Sequence, residues 1–96
     1  MAIRIICIKK NDGKYENPWL AIDYVEWINE RVNVNGITER DKIHDWIKDL
    51  AGEAYVIDKH GRKKFVIPAV SARGDKYVKT TDDETIDCLL LLPECV

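Results

Sequence analysis

Cys7, Cys88, Cys95, Ser71, His44 and His60 are the side chains from which this chain could assemble a nucleophilic site. Such a site needs a thiol or hydroxyl within hydrogen-bond reach of an imidazole. His44 follows Ile43 at the edge of an apolar helical face, and His60 falls in a hairpin turn. Neither local segment sets an imidazole against a nucleophile, so no catalytic residue is assigned. Cys88 and Cys95 stand seven positions apart across a leucine run, unlike the short ligand spacing of zinc knuckles. Asp82, Asp83, Glu84 and Asp87 lack the glycine and alternating oxygens of a calcium loop. No Gly-rich phosphate loop, HExxH, GxSxG or CxxC is present. The three cysteines have apolar neighbours and read as reduced, buried thiols. These observations imply no metal and no cofactor.

Binding chemistry is better represented. Ala54-Tyr55-Val56-Ile57 and Phe65-Val66-Ile67 flank the polar turn Asp58-Lys59-His60-Gly61, which predicts a β-hairpin. Strand alternation puts Tyr55, Ile57, Phe65 and Ile67 on one face, with Tyr77 and Lys79 joining them from a following strand. Ala54, Val56, Val66, Val70 and Val78 line the other. If helices cover the aliphatic face, an aromatic face edged by Lys63 and Lys79, with Arg62 and Lys64 nearby, is left open. That pattern resembles the stacking platforms of single-stranded nucleic-acid binders. The alternatives are that the sheet curls over both faces, or that the aromatics themselves form the core.

The elements that must position these residues follow from periodicity and turn signals. Ile3 to Ile8 is apolar on both sides, which predicts a well-buried first strand ending at Asn11-Asp12-Gly13. Asn17-Pro18 places an N-cap before a proline at the first helical position. Residues 18–23 are expected as a short helix and 24–29 as a strand, although helix also fits the latter segment. A turn is expected over Asn33 to Gly36. Thr38-Glu39-Arg40-Asp41 resembles a capping box, and Ile43, Trp46, Ile47 and Leu50 follow at helical spacing, with Gly52 placed to end the helix. Pro68 puts the second hairpin strand at an edge or a break. Gly74 marks a reversal before a strand over Lys76 to Thr81. The run Leu89-Leu90-Leu91-Leu92-Pro93 reads as an integral core element, with helix and strand both open for 86–92.

Size and charge set the outer bounds. Ninety-six residues make one domain, 1–96, large enough for a single core. The net charge of −2 provides no global field for nucleic acid or an anionic membrane. Its distribution is uneven: residues 51–80 carry seven Lys/Arg against three Asp/Glu, and residues 81–96 carry five acids and no base. No apolar run approaches the length of a membrane span, and no signal peptide precedes the first strand-like segment. The reading is a cytoplasmic protein.

Several strings run in order along nearly the whole chain: Asn17-Pro18, Trp27-Ile28-Asn29-Glu30, Arg40, Trp46-Ile47, Ala54-Tyr55-Val56, Lys76-Tyr77-Val78-Lys79-Thr80, Leu89-Leu90 and Leu92-Pro93-Glu94-Cys95. As a set they resemble a small bacterial family classed as domain of unknown function thirty-eight ninety-two. Trp19 stands where that pattern has a histidine, Cys88 where it has an asparagine, and Asp83-Glu84-Thr85 replaces a glycine–aromatic turn. The resemblance implies a compact stand-alone bacterial domain and carries over no catalytic residues.

The expected fold class is α+β, a small and mainly antiparallel sheet packed by one long and one short helix. The expected function is that of a non-enzymatic binding or interaction module, monomeric or weakly dimeric, with a protein or nucleic-acid partner and no membrane. The alternatives are a small enzyme with a dispersed site, an accessory subunit whose leucine-rich terminus completes a dimer, or a single-stranded nucleic-acid binder using Tyr55, Arg62, Lys63, Lys64, Phe65, Tyr77 and Lys79.

Overall fold

The computed structural model describes residues 2–11, 13, 18–80 and 89–95. Six strands form one mixed sheet: β1 (Ala2–Lys10), β2 (Ile22–Asn29), β3 (Val34–Glu39), β4 (Glu53–Ile57), β5 (Lys63–Val70) and β6 (Lys76–Thr80). Among the described residues a single α-helix, α1 (Arg40–Asp49), joins β3 to β4. The strand order is β3-β2-β1-β4-β5-β6, so two antiparallel three-strand meanders meet at a central pair. That pair, β1 and β4, is parallel, and the crossover such pairing needs runs through β2, β3 and α1.

This corrects the expected fold class. Among the described residues the protein is mostly a six-stranded mixed sheet with one α-helix, not an α+β fold with a long and a short helix. The expected helix over 18–23 is only the four-residue 3-10 turn Pro18–Ala21, and β2 begins at Ile22. The β-forming side chains Ile22, Tyr24, Val25, Trp27 and Ile28 outweigh the helix-starting proline. The turn expected over 33–36 is displaced toward the N-terminus. Asn33 takes the left-handed conformation (φ 54°) and β3 begins at Val34. Gly36 lies within β3, opposite Trp27, whose ring sits where a Cβ at Gly36 would be. Thr38 caps no helix; its hydroxyl accepts the Trp27 indole N–H at 2.9 Å. The helix starts instead after Glu39, which makes no side-chain cap.

One sheet face is dry. Ile3, Ile5, Ile8, Val25, Ala54, Val56, Val66 and Val78 form the core with Ile22, Ile43 and Leu89. Residues 5 and 8 can share a face only because Ile6 is an extra residue in β1, a bulge opposite the Trp27–Glu26 step of β2. Trp27, Trp46 and Ile47 pack against this core while partly exposed. Leu50, expected inside, is 74% exposed because α1 stops at Asp49; His44 is buried in its place. Gly52 does not supply the left-handed residue after the helix, which is Ala51 (φ 53°). Its role is to leave room for the Trp46 ring, which a Cβ would approach to 2.4 Å.

Arg40, at the start of α1, ties three elements together. Its Nε donates to the Lys76 carbonyl at 2.9 Å, and Nη1 donates to the carbonyls of Leu20 and Ile22. The 3-10 turn is thereby held beside β6, where Trp19 stacks on Tyr77 with ring centres 5.8 Å apart.

The terminal segment 89–95 is neither helix nor ladder strand. Leu89 is buried, Leu90 and Leu92 pack on the core from partly exposed positions, and Leu91 is 62% exposed. Ile8 donates its N–H to the Pro93 carbonyl at 3.1 Å and accepts the Cys95 N–H at 2.9 Å. These bonds make a parallel bridge between Ile8 and Glu94. Residues 81–88, with the acidic turn and Cys88, lie outside the described residues, as does Asn17.

Candidate functional site

The hairpin forms as its turn chemistry dictates. Asp58 Oδ1 accepts the N–H groups of His60 and Arg62, both at 2.8 Å, and Gly61 supplies the left-handed φ of 78°. Tyr55 pairs with Phe65, Ile57 with Lys63, and Val56 with Lys64. Ile67 pairs with Lys79, and Ala69 with Tyr77. Because Ala54, Val56, Val66 and Val78 are buried, alternation turns Tyr55, Lys63, Phe65, Ile67, Tyr77 and Lys79 to the outer face.

The structure divides the seven candidate residues. Phe65 is 47% exposed, and Lys63 is exposed beside it, two residues away on the same face. Ile67 and Lys79 continue that face, partly exposed. Tyr55 does not join as an open ring, being only 8% exposed. Its hydroxyl donates to Glu30 Oε1 at 3.1 Å, and the Lys63 ammonium lies 4.4 Å from its ring centre. Burial, and then the Glu30 hydrogen bond, push the Tyr55 phenol above its ordinary range. Tyr77 is engaged by the Trp19 stack, its ring inclined 22° to the indole. Arg62 is bound to the turn, its Nε donating to Asp58 Oδ2 at 3.2 Å. Lys64 belongs to the opposite face by register.

Two acids are held below the usual carboxylate range. The Lys76 ammonium bonded to Asp45 at 2.9 Å, with help from His44, lowers Asp45 and in turn raises Lys76. Backbone N–H donation from Arg62, reinforced by His60, lowers Asp58. Both acids are structural: Asp45 joins α1 to β6, and Asp58 builds a turn.

A second feature escaped the sequence reading. Cys7 and Cys95 form a disulfide, with Cα atoms 5.2 Å apart. This corrects the expectation of three reduced thiols. The residues are 88 positions apart, and the Ile8–Glu94 bridge sets their segments side by side. The bulge at Ile6 turns Cys7 away from the core and opposite Glu26, whose Oε2 lies 3.2 Å from Cys7 Sγ. An odd cysteine count carries no pairing information, so no signal in the sequence marks this contact.

Where β1 and β4 diverge beyond Arg4 and Tyr55, a cleft of about 420 Å³ opens between them. Arg4, Ile57, His60, Leu91 and Pro93 are among its walls. His44 lies elsewhere, buried in α1 with Nδ1 3.0 Å from Asp45, so the two histidines do not share a site.

No family model, curated protein or solved structure matches the chain. Among the described residues, no helix is long and apolar enough to cross a membrane.

Proposed function

We propose that this protein is a non-enzymatic binding module that holds single-stranded nucleic acid on the outer face of β5 and β6. The observation that carries this reading is Phe65, a half-exposed aromatic ring on a sheet face whose other side is sealed by the core. A solvent-facing phenylalanine offers a π-face to any base, and flanking ammonium groups neutralise phosphate. Lys63 and Lys79 supply those groups, on a stretch of chain, residues 51–80, with a basic excess in sequence. The strand rise places the level of Tyr77 about 13 Å from that of Phe65, so the Trp19–Tyr77 pair marks the far end of the track. Tyr55 forms the floor beneath Lys63 and is not itself a stacking ring.

Most strings that carry the resemblance to the bacterial family fall on β2, α1, β4, β6 and the terminal bridge, which are framework. Phe65 is outside them, so the reading rests on this chain's own surface. A cytoplasmic setting belongs to the same proposal, and there the Cys7–Cys95 pair meets reducing conditions.

The test is titration of labelled single-stranded DNA and RNA of about ten nucleotides, a length within the range of single-stranded sites. Binding at low salt that weakens as salt rises supports the reading, as does a loss of about 1–3 kcal/mol in Phe65→Ala. Binding unchanged in Phe65→Ala and in Lys63→Ala/Lys79→Ala, or no binding at high protein concentration, overturns it and leaves a protein partner for this face.

A further inference from the structure

The carboxylate beside the disulfide is the unexplained group. A disulfide carries no charge and no proton, so it gains nothing from a carboxylate oxygen 3.2 Å from one of its sulfurs. Two thiols at the same place gain a third metal ligand. We propose that in the reduced protein Cys7, Cys95 and Glu26 bind one zinc ion, which replaces the disulfide as the clamp on the terminal segment.

The geometry suits the ion. One donor atom from each of the three residues lies within 4.8 Å of the other two, and both cysteines are sheltered while Glu26 is partly exposed. Zinc takes thiolate sulfur at about 2.3 Å and carboxylate oxygen at about 2.0–2.2 Å in a tetrahedron, which sets sulfurs roughly 3.8 Å apart. Side-chain rotation can open the pair that far on backbones whose Cα atoms are 5.2 Å apart. Each ligand has a fixed base: Cys7 and Glu26 are cross-strand partners, and Cys95 is held by the Ile8 hydrogen bonds. Three protein ligands leave a fourth position for water on the exposed side of Glu26. Two thiolates and a carboxylate outweigh the charge of the ion by one. Lys9 and Glu94, paired at 3.5 Å, add no net charge, so the excess is left to solvent on the partly exposed side of Glu26.

The chemistry balances without an unnamed reagent. A dithiol gives two electrons and two protons to the S–S bond and becomes a disulfide itself, leaving two thiols on this chain. Zinc binding then expels both thiol protons, so affinity falls as the solution becomes more acidic. The donor set differs from the Cys88–Cys95–histidine combination discounted on spacing. It is assembled by the Ile6 bulge and the terminal bridge, neither of which is visible as a ligand motif.

The full chain, reduced with a phosphine under anaerobic conditions and freed of metal, is titrated with Zn²⁺ against a chromophoric chelator and separately with Co²⁺. The expected result is one ion per chain, a sulfur-to-cobalt charge-transfer band, and recovery of the thermal midpoint lost on reduction. Cys7→Ser and Cys95→Ser should lose the band, Glu26→Gln should bind at least tenfold more weakly, and Cys88→Ser should bind as the wild type does. Absence of stoichiometric uptake by the reduced wild-type chain overturns the proposal, whatever the variants do. So does uptake that survives Cys95→Ser or is equally tight in Glu26→Gln.

Discussion

Single side chains in this protein are decided by what lies across the ladder from them. Gly36 faces Trp27, and a Cβ there would come within 2.6 Å of the indole. Gly36→Ala must therefore displace the ring that bonds Thr38, and a loss of about 1–3 kcal/mol is expected in denaturant unfolding. Phe65→Ala should lie within about 0.5 kcal/mol of wild type in the same assay, because the ring is half in water. A large loss would place Phe65 in the core and remove it from any binding face. The Asp45–Lys76 pair makes a pH prediction with a definite sign. Asp45 is lowered, so its contribution is present above the unfolded carboxylate pKa and is lost as pH falls through the folded value. Lys76 is raised, so its contribution is present below its unfolded pKa and is lost as pH rises through the folded one. The stability gap between wild type and Lys76→Ala should be flat near neutrality. It should close as pH falls below the ordinary carboxylate range and as pH rises beyond the ordinary lysine range, as read from melts across both. At this scale the sequence was informative wherever chemistry is local: the Asp58 turn and the aliphatic face over Ala54, Val56, Val66 and Val78. It left Tyr55 open between a stacking ring and a core residue, because Glu30 and Lys63, which contact it, lie on other segments.

At the scale of elements, propensity and periodicity located most segments but missed β3, overextended the helix that begins at Pro18 and started α1 too early. The hairpin, the strand before Asn11, the strand after Gly74 and the helix centred on Trp46 stand where their patterns put them. The helix that Pro18 starts stops after four residues, with Trp19 and Leu20 held beside β6, and the start expected at Thr38 is lost to the Trp27 hydrogen bond. The agent in the first case is Arg40, three of whose bonds run to carbonyls on other elements. Net of exchange with water, bonds to a charged donor are worth about 1.5–3 kcal/mol each, and bonds sharing one side chain do not add fully. Arg40→Ala is expected to cost about 2–4 kcal/mol and to free the Trp19–Tyr77 stack, seen as a change in near-ultraviolet circular dichroism together with the stability loss. Arg40→Lys should recover only part of both, since one ammonium cannot span the carbonyls. Trp46, packed on Gly52 yet partly exposed, should cost less on truncation than the roughly 3–5 kcal/mol of a fully buried tryptophan.

The whole molecule is two meanders sewn together at β1 and β4, a contact between residues some fifty positions apart, and no periodicity in either meander announces it. The closing contact is longer still. By the chain-entropy estimate, a cross-link spanning 88 positions contributes about 4–5 kcal/mol, a large part of a domain's usual margin of roughly 5–15 kcal/mol. Reduction in the absence of metal should lower the denaturation midpoint accordingly, and Cys95→Ser should match the reduced protein. Removing residues 89–96 deletes both the cross-link and Leu89, and a chain that still unfolds cooperatively at near-native stability would show that the segment is dispensable. The same cross-link has a mechanical meaning. A chain pulled from its two ends would bear load only up to Cys7 and beyond Cys95, with everything between them a ring shielded from tension. In single-molecule stretching the oxidised protein should lengthen by only about 3 nm, and the reduced, metal-free protein by roughly 30 nm, given about 3.5 Å per extended residue. The fold would be force-resistant in one redox state and extensible in the other.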